Sequence, residues 1–190
     1  MKKLIVAGIL SLGILIPSYS LESSSTKSPK PVKEKQSQTL EIKSIEEEKK
    51  IKSIDDFVGI DIKGESHKFS EYLEKPVILN FWALSCGACK YEMPFLEAYA
   101  KDNKNDVAVV AVTFDDRQSM KYYAENNSFN EINFLSINPE VYRNNNVDRI
   151  PTNVIVDTKG QEIYRHIGAI QFQKEDELVK KVEELLQKSK

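Results

Sequence analysis

Val77-Ile78-Leu79-Asn80-Phe81-Trp82-Ala83-Leu84-Ser85-Cys86-Gly87-Ala88-Cys89-Lys90-Tyr91-Glu92-Met93-Pro94 is the stretch whose reading decides the fold. From Val77 to Ala83 it is apolar, β-branched and aromatic, the composition of a buried strand, and at Ser85 the pattern changes to helical spacing. The chain has 2 cysteines. Both therefore fall in a Cys-x-x-Cys pair where a strand passes into a helix. At the first turn of a helix the unpaired N–H groups and the positive end of the dipole stabilise an anion, which favours ionisation of a thiol placed there, and Cys86 is the better placed of the two. Residues three apart in a regular helix have Cβ atoms about 5–6 Å apart, wider than the roughly 3.8 Å of a disulfide. The pair is therefore expected to straddle the helix start.

Two bland readings compete with redox chemistry. A structural disulfide closing so short a loop constrains the unfolded chain little, and a zinc site needs two more ligands from His67 and His166, which lack ligand spacing. Redox chemistry is the preferred reading, with no metal and no cofactor expected. The two histidines are read as surface residues and Trp82 as packing near the site.

Working outward, the helix after the cysteines runs to about Ala100, with Phe95, Leu96, Tyr99 and Ala100 as its buried stripe. Pro94 removes one of its internal hydrogen bonds and is expected to kink it. Val107–Thr113 is apolar throughout, as in a parallel strand covered on both faces, and with the first strand and the helix it makes a right-handed βαβ unit. A helix over 118–125, a strand over 134–137 and a helical turn over 140–144 follow. The next strand covers 153–156, and the turn Asp157-Thr158-Lys159-Gly160 returns the chain over 161–168 as its antiparallel partner. Leu178, Val179, Val182, Leu185 and Leu186 give the last helix its apolar face.

Toward the N-terminus, two short strands flank a glycine-bearing turn at Lys63-Gly64-Glu65-Ser66, and Ser70 is expected to cap a brief helix at Glu71-Tyr72-Leu73. Residues 53–190 are read as the folded domain. Residues 21–52 are rich in Ser, Lys, Glu and Pro and bury too little surface to offset chain ordering, so they read as a disordered charged linker. Residues 1–20 carry Lys2 and Lys3, an apolar run from Leu4 to Ile16, and Ser18-Tyr19-Ser20 with small residues at alternate positions, the layout of a secretory signal peptide. The thirteen apolar residues reach some 20 Å as a helix, short of a roughly 30 Å hydrocarbon core, so an uncleaved N-terminal anchor is the second choice. The protein is thus expected outside the cytoplasm, periplasmic or on the outer face of the cytoplasmic membrane.

These residues resemble the thioredoxin-fold family, and within it the exported disulfide reductases of the TlpA and ResA type. The resemblance rests on Asn80-Phe81-Trp82-Ala83, on Cys86 through Pro94, and on Ile150-Pro151-Thr152 followed by Asp157 and Gly160, and it extends over roughly Phe57 to Lys188. It implies an α/β fold with a central mixed β-sheet and helices on both faces. It also implies a cis peptide bond at Pro151, with Ile150 and Pro151 forming a substrate groove against the cysteines. The family's thioredoxins carry a buried Asp where this chain has Asn80; the exported branch resembles this chain in having Asn, with the Glu matching Glu92 near the thiols. Glu92 has two readings of equal weight, a modulator of the thiols or an ordinary solvated helix residue. Ser85 replaces the usual Trp before the first cysteine and Ala88 the usual Pro between the two.

The chemistry expected is reduction of protein disulfides, with Cys86 as the nucleophile and Cys89 as the resolving thiol. Because compartments outside the cytoplasm favour disulfides, a membrane thiol-transfer protein is the expected electron donor. The membrane is otherwise a partner only if the N-terminal segment is uncleaved. Two alternatives stay open: a thiol peroxidase on the same fold, for which no Thr lies in the approach to Cys86, and a non-catalytic binding module using the groove beside Pro151. Nucleic acid is not expected, since the formal charge of −2 becomes −4 when Lys2 and Lys3 leave with the signal, and such a surface repels phosphate.

Overall fold

A computed structural model describes residues 52–188, so the signal and almost all of the linker read from the sequence lie outside the described residues. Seven strands form one sheet: β1 (Val58–Asp61), β2 (Ser66–Lys68), β3 (Val77–Phe81), β4 (Ala108–Thr113), β5 (Asn133–Ile137), β6 (Thr152–Val156) and β7 (Glu162–Ile167). Four helices accompany them: α1 (Gly87–Asp102), α2 (Arg117–Asn126), α3 (Glu140–Asn144) and α4 (Glu177–Lys188). The spatial order is β2-β1-β5-β4-β3-β6-β7. β3 pairs parallel with β4 and β4 parallel with β5, whereas β6 runs antiparallel to β3 and β7 antiparallel to β6. The sheet is therefore mixed, and β3 is interior to it, which is why all five of its residues are buried.

Strand alternation divides the core into two layers. Ile78, Val109, Ala111 and Ile155 face one side and pack with Met93 and Leu96 of α1, Met120 of α2 and Leu178 of α4. Val77, Leu79, Phe81, Val110 and Val154 face the other, against Val141 and Tyr142 of α3 and Phe57 and Phe69 of the N-terminal segment. Helices on both faces of a mixed sheet, in this strand order, make the thioredoxin fold.

Two local expectations need correction. Ser70 does not cap a helix; it lies within a 3-10 turn at Phe69–Tyr72 that has no side-chain cap. Its backbone N–H and hydroxyl instead donate to the two carboxylate oxygens of Asp56, each at 3.0 Å. An acceptor fourteen residues earlier takes the role that a local one would have played. In α1, which continues through Pro94, the buried residues are Cys89, Glu92, Met93, Leu96 and Ala100, while Phe95 and Tyr99 are half-buried at the margin.

Tyr142 ties α3 to the strand ends nearest the cysteines: its buried hydroxyl lies 2.6 Å from the Trp82 carbonyl and 2.9 Å from that of Val112. Tyr142→Phe removes this donor and leaves the ring packing in place. The expected cost is about 1–2 kcal/mol of stability, readable as a lower urea midpoint with unchanged slope.

Candidate active site

The site is built where β3 ends. The turn from Ala83 to Cys86 is closed by the Cys86 N–H, which donates to the Ala83 carbonyl at 3.0 Å. Asp115, at the end of the neighbouring β4, braces the same turn: its carboxylate accepts from the Leu84 N–H at 2.6 Å and from the Thr113 hydroxyl at 2.7 Å. Cys86 is the N-cap residue of α1, in an extended conformation. It is joined to Cys89 in a disulfide with Cα atoms 5.3 Å apart, so the pair straddles the helix start. The Cys89 N–H, in the first turn, donates to Cys86 Sγ at 3.1 Å. A backbone donor and the end of the helix dipole thus converge on the sulfur that would carry negative charge after reduction.

Accessibility separates the two sulfurs. Cys89 is fully buried among Trp82, Met93 and Ile155, whereas Cys86 is half-buried and flanked by exposed Ser85, Gly87 and Ala88. The Ile150–Pro151 peptide is cis. Thr152 is the register partner of Phe81, which places Pro151 beside the exit of β3 toward the cysteine turn, and Ile150 packs against both core layers. The Gly168 N–H secures this corner by donating to the Pro151 carbonyl at 2.9 Å.

Glu92 is completely buried, so it is not a solvated helix residue. Its carboxyl oxygens receive the Asn80 side-chain amide at 2.7 Å, the Asn153 amide at 3.1 and 3.4 Å, and the Ile170 backbone N–H at 3.2 Å. Burial pushes its pKa up to about 7, against the pull of these donors in the opposite direction. One helical turn separates it from Cys89, so carboxyl and thiol share the buried side of α1.

The structure thus brings together Cys86, Cys89, Glu92, Ile150 and Pro151. It leaves His67 on β2, where the ring lies 3.5 Å from Asp61 and 3.3 Å from Glu71, at the far edge of the sheet from β7, which carries His166. The two histidines cannot complete one zinc site with the cysteines. Trp82 is buried against Tyr123 and Phe134 and serves as packing. Asn153, Ile170 and Asp115 are site residues that sequence reasoning missed. Asn153 had a usable signal: like Asn80, it is a lone amide in an otherwise apolar strand. Ile170 contributes only a backbone N–H and leaves no trace in its side chain.

A disulfide-linked Cys-x-x-Cys pair at a helix N-terminus, one sulfur half-buried and the other buried, beside a cis-proline on a mixed sheet, defines a thioredoxin-fold protein. The Redoxin family model matches residues 46–182, and the chain belongs to the Redoxin family. It is 33% identical over 108 residues to thiol-disulfide oxidoreductase ResA of Geobacillus kaustophilus, a stretch that is 56% of this chain and 62% of that relative. Among solved structures, a thiol:disulfide interchange protein DsbE from Chlorobium tepidum shares the fold with a TM-score of 0.62 at 24% identity, covering 72% of this chain and 96% of that one. The pneumococcal exposed lipoprotein thioredoxin Etrx1 of Streptococcus pneumoniae does so with a TM-score of 0.59 at 23% identity, covering 69% and 100%.

Proposed function

We propose that this protein is an extracytoplasmic thiol-disulfide oxidoreductase that reduces protein disulfides. The observation that carries this reading is the asymmetry of the pair: one reachable sulfur at a helix N-terminus, Cys86, joined to one buried sulfur, Cys89. In the reduced protein the Cys86 thiolate attacks a substrate disulfide. The substrate S–S bond breaks, its leaving sulfur takes up a proton, and a mixed disulfide forms between Cys86 and the other substrate sulfur. Cys89, losing its proton, then attacks Cys86 Sγ; the mixed disulfide breaks, the second substrate thiol is released, and the Cys86–Cys89 bond carries the two electrons' worth of oxidation. Ile150 and Pro151 form the wall along which substrate backbone lies. Glu92, sharing the buried side of α1 with Cys89, modulates the thiols.

Residues 1–20 act as an export signal and 21–52 as a tether, placing the domain outside the cytoplasm, where a membrane thiol-transfer protein returns the disulfide to the dithiol. Support for that location comes from the apolar N-terminal run and from relatives such as the pneumococcal protein described as an exposed lipoprotein. A peroxidase reading gains nothing from the site: the Thr113 hydroxyl is committed to Asp115, and that of Thr152, beside Pro151, donates to the Arg149 carbonyl.

The direction of the reaction is tested by potential. Gly87 and Ala88 place no charged group between the cysteines, so the pair is expected to equilibrate nearer to about −270 mV than to the roughly −120 mV of a strong oxidant. Catalysed reduction of insulin by dithiothreitol, with a glutathione-titrated potential in that lower range, supports the reading. A potential above about −180 mV overturns reduction as the physiological direction.

A further inference from the structure

We propose that Asn153 is a positioning residue of the dithiol site: its side-chain amide, held by Asn80 across the β3–β6 pair, fixes the orientation of the Glu92 carboxyl on the buried side of α1. This rests on the thiol-disulfide reading given above.

The register makes the arrangement possible. Asn80 and Asn153 are direct partners in the antiparallel pair, so their side chains leave the sheet on the same face. That face is the one covered by α1, because Ile78 beside Asn80 and Ile155 beside Asn153 both pack against Met93 and Leu96. Both amides are completely buried. Together with Glu92 they close a ring of three side chains. Asn80 Nδ2 donates to Glu92 Oε1 at 2.7 Å and to Asn153 Oδ1 at 2.8 Å, and Asn153 Nδ2 donates back to Glu92 Oε2 at 3.1 Å.

Only one orientation of the ring works with an ionised carboxylate. A carboxylate accepts and cannot donate, so each amide must turn an N–H toward it. Reversing Asn153 would set its oxygen against Glu92 and its NH2 against the NH2 of Asn80. Reversing Asn80 would set its oxygen against both Glu92 and Asn153 Oδ1. The ring is therefore locked, and the lock leaves Asn80 Oδ1 buried with no hydrogen-bond partner among the described residues. Leaving a buried acceptor unpaired is costly. That cost is tolerated while both N–H groups of Asn80 are directed at Glu92 and Asn153.

The backbone N–H of Ile170 is the third donor to the carboxyl, and it cannot be reversed at all. It comes from the segment between β7 and α4, which is also tied to α1 by the Gln171 side-chain amide donating to the Tyr91 hydroxyl at 2.5 Å. Glu92 is thus surrounded by donors from β3, β6 and this segment, none of them charged. Of the ionisable groups on the elements around it, Cys89 shares the buried side of its own helix and His166 on β7 is the register partner of Asn153. His166 is not among the groups that move the carboxyl's pKa, which burial raises and the three donors lower.

Removing the Asn153 amide should therefore favour the protonated acid. The test uses the full-length protein. In the oxidised form the thiols do not titrate, so the Glu92 carboxyl can be followed alone by carbon-13 NMR against pH, with Glu92→Gln used to assign its signal. Asn153→Leu keeps the branched shape at a larger volume and removes both bonds to Glu92; its Glu92 midpoint is expected about one pH unit or more above the wild-type value, the scale of losing a hydrogen bond to a charged group. In the reduced form, thiolate absorbance of Asn153→Leu should shift to lower pH, toward the curve of Glu92→Gln. Combining Asn153→Leu with Glu92→Gln should then add no further shift. Asn153→Thr, whose β-branched side chain suits a buried strand and keeps one hydroxyl, should fall between Leu and wild type, and it carries the same test if the Leu variant does not fold. A Glu92 midpoint unchanged in these variants overturns the positioning role even if insulin reduction proceeds normally. Failure of the wild-type protein to reduce insulin would instead count against the thiol-disulfide reading and leave the Glu92 titration to decide the role of Asn153 by itself.

Discussion

Cys86→Ser is expected to abolish catalysed insulin reduction, while Cys89→Ser accumulates covalent mixed disulfides with protein substrates. The two cysteines are separated by only three positions, yet their surroundings differ sharply: Cys86 is half-buried at the N-cap of α1 and Cys89 is fully buried one turn in. Only the first can meet a sulfur on another protein. With serine at position 86 no nucleophile reaches the substrate, and the rate should fall to that of dithiothreitol alone. With serine at position 89 the first attack proceeds and the second cannot, so the intermediate persists on Cys86. Non-reducing electrophoresis of cells expressing each variant reads the difference directly. Insulin reduction by Cys86→Ser at the wild-type rate, or trapping by Cys86→Ser in place of Cys89→Ser, would reverse the assignment. The trapped partners also identify the physiological substrate class.

Glu92→Gln is expected to change how stability depends on pH. In the folded protein burial pushes the Glu92 pKa up to about 7, whereas its unperturbed value is 4.5. Between those values the folded state holds a proton that the unfolded chain has released. The resulting contribution is fully present below pH 4.5 and is lost as pH rises through about 7. The span corresponds to about 3 kcal/mol. Glutamine has no such titration, and the groups common to both proteins cancel in the comparison. Urea unfolding of the two oxidised proteins should therefore show the variant gaining about 3 kcal/mol relative to wild type from below pH 4.5 to well above pH 7. A stability difference that is constant across this range would mean that folding does not raise the Glu92 pKa.

The same substitution bears on the thiols. Unit charges about 6 Å apart at an effective dielectric near 20 interact by roughly 3 kcal/mol, which bounds the effect of the carboxylate on a thiol pKa at about two units. Glu92→Gln should lower at least one apparent thiol pKa by less than that bound, and thiolate absorbance against pH measures it.

The sequence by itself determined the main elements and the place of the cysteine pair among them. β3 and β4 were legible because unbroken apolar runs of that length suit strands covered on both faces, and α4 because its apolar residues recur at helical spacing. The cysteine pair was legible because its position between Ala83 and Lys90 places it at a strand-to-helix turn whatever the rest of the chain does. The cis bond at Pro151 followed only from the family resemblance, since proline alone favours trans.

Tertiary structure alone decided the state of Glu92. Three positions after Cys89, a glutamate flanked by Tyr91 and Met93 fits a solvated helix face as well as a buried one, and local spacing cannot separate the two. Its burial depends on β6 and on the segment after β7 closing over α1, through Asn153 at 61 residues' separation and Ile170 at 78. For the same reason Ser70 could not be read correctly, because its acceptor, Asp56, lies on another segment. Periodicity records which side of an element is apolar. What a polar group on that side meets is decided by strand register and by packing between residues far apart in the chain, and that is where Glu92 acquires its donors and its raised pKa.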